Sequence, residues 1–550
     1  MKSIQSAGGE RSASSPANDT KLEFLRGALD SLHQDGNRQH PASLANSSRR
    51  YHLSKSALLG IAALFGPLLA STGSAADAAT ATTVANPPTV ASAATTTNET
   101  ASASATTLTN ATAAASAPKA SALFQKPAWL TDLSVGVKES YDDNVYLAGV
   151  APVSKPIPDG GVLAEKNHSS FVTTVSPKVG FNFAPLLGDQ NILQALTFSY
   201  APDFVTYHDA DTESYNNHRI ANTVKGQAED FSFNLDNTFN YIDGSEYGPS
   251  YTDGLNAYGT GNLRERREQL QDRSNLTLKY DQEQWFVRPT ASLLYYDLET
   301  KQLAGYTGYQ NYADRYDVNG GVDLGYKLNP DLAVTLGYRD GAQYQQKYAL
   351  AIDKYGRSAS SDYQRVLVGI EGKPFSWLVV KIQGGPDFRN YDDSAPVSDY
   401  NPVKFYGEAS LTATLTKQDT LSFNYRQWEW VSSTGEVPYL DSTYDLNYKH
   451  KFNDQLSGNL GARLLGSDYT SGLAVTGGQP GQYVGTANAR NDLFYTLSAG
   501  VQYAFNANLS ASLAYSYDLG RNGEDGLTAE AQQQREFNHQ LISLGVAFKF

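Results

Sequence analysis

The chain has 550 residues, long enough for several soluble domains or for one large barrel. Its 57 acidic against 43 basic residues leave a formal charge of −14, which argues against nucleic acid as a partner, since that calls for a concentrated basic face. The absence of cysteine excludes disulfides, thiolate metal sites and a cysteine nucleophile, and it fits an oxidising compartment. A mean hydropathy of −0.43 rules out a bundle of membrane helices. Yet 36 Tyr, 22 Phe and 46 Gly suit many half-buried strands joined by turns.

One apolar stretch stands out near the start, residues 57–70, ALLGIAALFGPLLA. It is short for a membrane-spanning helix, which needs roughly 20 apolar residues. It follows Arg49, Arg50 and Lys55 and precedes the small residues Ser74, Ala75 and Ala76. Basic region, apolar core and small-residue exit predict a secretory signal over 1–76 with a long basic leader, cleaved near Ala76–Asp77. A permanent inner-membrane anchor is the alternative. Residues 48–55, SRRYHLSK, also resemble a twin-arginine signal through Ser48, Arg49, Arg50 and Leu53, with His52 and Ser54 departing from it. Residues 77–126 are nearly all Ala, Thr and Ser, with a few Pro and Asn. They cannot bury enough apolar area to offset their ordering entropy, so a disordered periplasmic linker is expected.

From about Leu130 the pattern turns to period two, the signature of a strand with unlike faces. In the last segment Ile542, Leu544, Val546, Phe548 and Phe550 share one face, and Ser543, Gly545, Ala547 and Lys549 the other. Phe231, Phe233 and Leu235 alternate with Ser232, Asn234 and Asp236 in the same way. Alternation alone also suits a soluble sandwich. The connections decide between the two. Very short polar turns are expected at 184–191, 228–230, 281–284, 328–331, 373–376, 417–419, 452–454 and 505–508. Between them fall long polar loops, among them 146–168, 242–266, 392–401, 467–490 and 520–536. Strict alternation of short and long connections is the outer-membrane barrel arrangement. Eight short turns and nine long loops predict an all-β, antiparallel transmembrane barrel of about 18 strands over 127–550. Both its ends then lie on the short-turn, periplasmic side. Tyr200, Tyr280, Tyr295, Tyr338, Tyr425, Tyr448, Tyr503 and Tyr515 suit aromatic girdles at the membrane interfaces.

The first strand reads LSVGVKESYDDNVY, with Val137, Glu139, Tyr141, Asp143, Asn144 and Val145 at the matching positions. It resembles the opening of the β-barrel porin 2 family. The ending GVAFKF, with Phe550, resembles the C-terminal signal read by the barrel-assembly machinery. Together these cover about 130–550. The resemblance implies a bacterial outer-membrane location, the barrel-assembly machinery and membrane lipid as partners, and an association with exopolysaccharide gene clusters that adds polysaccharide export components as candidate partners.

Catalytic constellations are not evident. His208 with Asp209, Asp211 and His218 lacks the fixed spacing of a zinc motif. Asp142–Asp143 and Asp392–Asp393 read as solvated loop residues, since calcium needs about six to eight converging oxygens. No serine stands in a strand–turn nucleophile context. The expectation is therefore a protein without catalytic residues, metal or cofactor. With the apolar parity outward, the barrel-closing strand presents Ile542, Leu544, Val546, Phe548 and Phe550 to lipid. The pore lining then includes Lys178, Arg288, Arg339, Arg365, Lys381, Arg426, Lys449 and Arg463, with Asp323, Glu371, Glu408 and Asp445 as inward acids. The expected function is a passive, porin-like channel or an export accessory for polar solutes or polysaccharide. A structural or adhesive surface barrel with a loop-filled lumen is the alternative.

Overall fold

The structure, a computed structural model, describes residues 126–145, 147, 169–187, 192–244, 268–298, 314–346, 358–393, 395, 397–431, 438–469, 490–524 and 536–550. The expected signal and the expected linker up to residue 125 lie outside the described residues. So do most of the loops expected at 146–168, 242–266, 467–490 and 520–536. Among the described residues no helix is long and apolar enough to cross a membrane.

The strands do the crossing. In chain order they are β1 (Leu130–Asp142), β2 (Ser170–Asn182), β3 (Leu193–Tyr200), β4 (Asp203–Tyr207), β5 (Tyr215–Ala228), β6 (Phe231–Asp243) and β7 (Gln269–Asp281). Next come β8 (Trp285–Asp297), β9 (Arg315–Asn329), β10 (Leu332–Gln345), β11 (Ser361–Phe375), β12 (Leu378–Tyr391) and β13 (Val403–Thr414). The last are β14 (Asp419–Trp430), β15 (Tyr439–Lys451), β16 (Leu456–Tyr469), β17 (Arg490–Ala504), β18 (Leu509–Glu524) and β19 (Phe537–Lys549). All pairings are antiparallel, and β19 pairs back onto β1 from Ser134 opposite Lys549 to Asp142 opposite Leu541. The sheet is thus a closed ring with no edge for lipid to meet.

Two of the segments make one stave. The inner half of β2 pairs with β3 and its outer half with β4, and both pair with β5 on the other side. The interruption falls at Ala201–Pro202, because proline has no N–H to give the ladder. Arg219 bridges the break, donating from Nε to the Ala201 carbonyl at 3.3 Å and from Nη2 to Asp203 at 2.7 Å. The nineteen segments therefore form an eighteen-stave barrel, the number that counting turns predicts.

The eight expected short turns all join consecutive staves on one rim. Their side chains close them: Asn453 Oδ1 accepts the N–H groups of Gln455 and Leu456, and Asn506 Oδ1 those of Asn508 and Leu509. Gly372 has φ +131°, and a Cβ there would sit 1.9 Å from the Asp331 carbonyl of the neighbouring turn, so only glycine fits.

The two faces are those of a membrane barrel. Outward apolar side chains stay exposed, as with Val368 at 66% and Leu544 at 60%. All five predicted residues of the closing strand, Ile542, Leu544, Val546, Phe548 and Phe550, are exposed. Inward polar ones are buried against each other. At the seam, Ser140 and Ser543 hydroxyls meet at 2.8 Å, and His539 sits between Asp142 (3.1 Å) and Asp518 (2.9 Å). The Phe550 N–H donates to the Leu133 carbonyl at 2.8 Å.

Candidate functional site

The distinctive feature of the lumen is a hairpin tip that leaves the wall. The β13–β14 ladder stops at Gly407 opposite Gln427. The β14–β15 ladder runs on through Trp428 opposite Asp441, Glu429 opposite Leu440 and Trp430 opposite Tyr439. Released from β13, this end of β14 bonds to staves further round. The Glu429 carbonyl accepts from Gln343 Nε2 of β10 at 2.8 Å and from Arg389 Nη2 of β12 at 3.1 Å. The Val431 carbonyl accepts from Arg315 Nη1 of β9 at 2.7 Å. Five stave spacings of about 4.8 Å separate β9 from β14 along the wall, further than one arginine reaches, so the tip must incline into the lumen.

A dense charged network receives it. Tyr363 Oη donates to both carboxylate oxygens of Asp317 at 3.0 Å, and Gln343 Nε2 donates to Asp317 Oδ2 at 3.0 Å. Arg389 donates to Gln343 Oε1 at 2.7 Å and to Asp387 Oδ2 at 3.0 Å, which Arg365 Nε also reaches at 3.0 Å. The Arg365 and Arg389 guanidiniums lie 3.9 and 4.9 Å from the Tyr363 ring centre. Lys404 Nζ lies 3.4 Å from the Glu429 carboxylate. In a low-dielectric wall such charges are tolerable only when each finds a partner, as these do.

Aromatic rings finish the tip. Trp428 and Trp430 stack at 4.5 Å, with Arg426 3.8 Å from the Trp428 ring and Arg315 5.0 Å from that of Trp430. Trp430, Val431, Tyr439, Tyr469, Tyr296, Leu298 and Ala359 form one buried cluster at this outer end.

Ion pairs hold Lys178, Arg288, Arg339, Arg365, Lys381 and Arg463 of the predicted lining. Arg288 forks onto Glu371 at 2.8 and 2.9 Å and reaches Asp323 at 2.9 Å, while Arg339 reaches Asp323 at 2.7 Å. The structure thus brings two predicted cations and two predicted acids into one chain across β8 to β11. Lys381 lies 3.8 Å from Glu408, Arg463 pairs with Asp445, and Lys178 lies 2.8 Å from Asp132. Arg365 belongs to the network at the tip. Arg426 stacks on Trp428, and Lys449 is exposed.

Sequence reading passed over Arg315, Asp317, Gln343, Asp387, Arg389, Lys404 and Glu429. All but Glu429 have inward parity, so a fuller parity count would have found them. Glu429 has outward parity and is buried because the tip has turned inward. The signal for that was QWEW, residues 427–430: two of the chain's five Trp fall on a parity that is polar along the rest of β14.

The sequence pattern of the family described as "Putative beta-barrel porin 2" matches residues 275–550. The chain belongs to this family. A β-barrel porin 2 protein with this fold is a protein of the bacterial outer membrane. No curated protein matches the chain. Among solved structures it is similar to the siderophore receptor PirA from Acinetobacter baumannii, at 9% identity and a TM-score of 0.36, covering 76% of this chain and 81% of that one. It is also similar to the outer membrane protein OpdK from Pseudomonas aeruginosa, at 8% identity and 0.34, covering 76% and 98%. OccK5 from Pseudomonas aeruginosa stands at 12% and 0.34, with the same coverage.

Proposed function

We propose that this β-barrel porin 2 protein is a passive channel for small polar solutes, narrowed at its outer end by the β14–β15 tip. The observation that carries the reading is the clamp on the Glu429 and Val431 carbonyls by Gln343, Arg389 and Arg315. Eighteen staves are wide enough to leave an aqueous path. A tip bonded across that path sets its cross-section by hydrogen bonds and not by stave number alone. The charge-paired lining below it suits hydrated solutes of either sign. Outer-membrane lipid and the barrel-assembly machinery would be its partners in the membrane and on the way to it.

In planar bilayers the purified protein should open in discrete steps, and liposome swelling should fall steeply with sugar size. A protein that inserts and never conducts would remove the reading.

Polysaccharide export, the alternative raised by the family's association with exopolysaccharide gene clusters, asks for a wider path, and a glycan strand would need the tip to swing back to the wall. The second reading is a structural surface barrel with a filled lumen. It is favoured by the outer-end cluster, where Trp430 and Leu298 are fully buried and Tyr439 keeps 1% exposure. Silence in the same recordings would support it.

A further inference from the structure

On β5, β6 and β7 the outward face departs from its apolar code. Asn222 lies directly opposite Asn237, and Asn237 directly opposite Ser274, with Asp272 two residues along the same face of β7. Their parity is outward. Val224 opposite Leu235, Ile220 opposite Phe239 and Leu235 opposite Leu276 share it, while the lumen parity of β6 carries Ser232, Asn234, Asp236, Thr238 and Asn240.

The polar run lies inside the apolar band. Along each stave it has apolar neighbours on both sides: Val224 and Ile220 on β5, Leu235 and Phe239 on β6, Leu276 and Leu270 on β7. Beyond it, toward the long loops, His218 stacks between Tyr200 and Tyr241 at 6.2 Å from each, an aromatic ring of the kind that marks the interface.

The four side chains form one hydrogen-bonded patch across three staves. Asn222 Nδ2 donates to Asn237 Oδ1 at 3.1 Å. Asn237 Nδ2 donates to Asp272 Oδ1 at 2.7 Å and to Ser274 Oγ at 2.9 Å, and Ser274 Oγ donates to the same Asp272 oxygen at 3.2 Å. These bonds do not exhaust the patch. An amide has two donor hydrogens and a carboxylate has about four acceptor positions, so Asn222 and Asp272 retain capacity that hydrocarbon cannot meet. Lipid-facing polar groups are expensive and by default mark a contact or a function. Outward positions on other staves hold the usual residues instead, such as Val334 and Leu336 on β10 or Leu497 and Val501 on β17.

We propose that the β5–β7 wall is where a second copy of this chain docks, about a twofold axis parallel to the membrane normal. Such an axis brings the same patch from each copy together at the same depth. The patch is its own complement: Asn222 supplies both a donor and an acceptor, and Asp272 an acceptor, so two copies satisfy each other without any third chemistry. Ile220, Val224, Leu235, Phe239 and Leu276 around it supply the apolar area of the contact.

Because the chain has no cysteine of its own, a single one reports the contact. Asn237→Cys on β6, the middle stave of the patch and so the position nearest the axis, should give a reducible dimer when oxidised in intact outer membranes, and Val501→Cys on β17 should not. Native mass spectrometry from lipid nanodiscs should show a dimer for the natural chain. For Asn222→Leu combined with Asn237→Leu and Asp272→Leu it should show a monomer, with heat-modifiable folding retained because leucine suits a lipid face. A monomeric natural chain, a trimer, equal cross-linking at both cysteines, or an unchanged dimer in the leucine variant would each overturn the proposal. Misfolding of the leucine variant leaves the cysteine pair to decide.

Discussion

Gln343 on β10 donates to the backbone carbonyl of Glu429 on β14 at 2.8 Å, although three staves stand between them. A side chain cannot bridge that span along a wall. The bond records that one hairpin tip has crossed part of the lumen, and it ties the passage to a few named donors.

In the proposed channel, the pairing of lumen charges would set the selectivity. Glu371, Asp323, Asp387, Glu408, Asp445 and Asp132 hold Arg288, Arg339, Arg365, Lys381, Arg463 and Lys178 in pairs. The field of a close pair fades within roughly 8 Å at physiological salt. A mild anion preference is expected, smaller than eight unpaired cations would give. Lys449→Glu and Arg339→Glu should each move the reversal potential in a salt gradient toward cations. A strong native cation preference, or no shift in either variant, would contradict the charge arrangement.

Topology follows from the sorting of connections. A cysteine at Ser250 or Ser471, in the long loops, should react with an impermeant thiol reagent on intact cells. One at Gln282 or Asn453, in the short turns, should stay unlabelled until the cells are opened. Labelling in the opposite sense would mean that the barrel is inverted.

Assembly should depend on the seam. Phe550 bonds to Leu133, and Ile542, Leu544 and Val546 face lipid beside it. Deleting Phe550 should lower the heat-modifiable fraction recovered from outer membranes. Leu544→Arg should cost up to ~2–4 kcal/mol, the penalty of a lipid-facing arginine near midplane. Denaturant unfolding of the barrel in vesicles measures the cost, and a loss below about 0.5 kcal/mol would place residue 544 outside the apolar band.

Export processing is checked by intact-mass measurement of the mature protein. Cleavage near Ala76–Asp77 predicts a chain beginning close to Asp77. A membrane-resident form that still starts at Met1 would show that the apolar segment 57–70 is an anchor.

Much of this architecture was legible from the chain because membrane barrels write it twice. The period-two code of Ile542 to Phe550 gives the faces, and short turns such as 452–454 and 505–508 give the stave order. The break within the third stave was less visible, because Pro202 interrupts a ladder that resumes at Asp203 in the same direction. The site was half legible. Parity found Arg288, Arg339, Asp323 and Glu371, whose meeting follows from adjacency around the ring. It could not find the infolded tip, because parity is a local rule and the departure of β14 from β13 depends on partners two to five staves away. Trp428 and Trp430 on a polar parity were the trace it left.

The most direct test of the channel account is single-channel conductance of the natural chain beside a variant carrying Gln343→Ala and Arg389→Ala. These changes remove both donors to the Glu429 carbonyl and leave the staves paired. The account predicts that the natural chain opens in uniform small steps. In the variant the steps should be larger and noisier as the tip loosens. Identical conductance in the two proteins would contradict it, and so would a natural chain that carries no current.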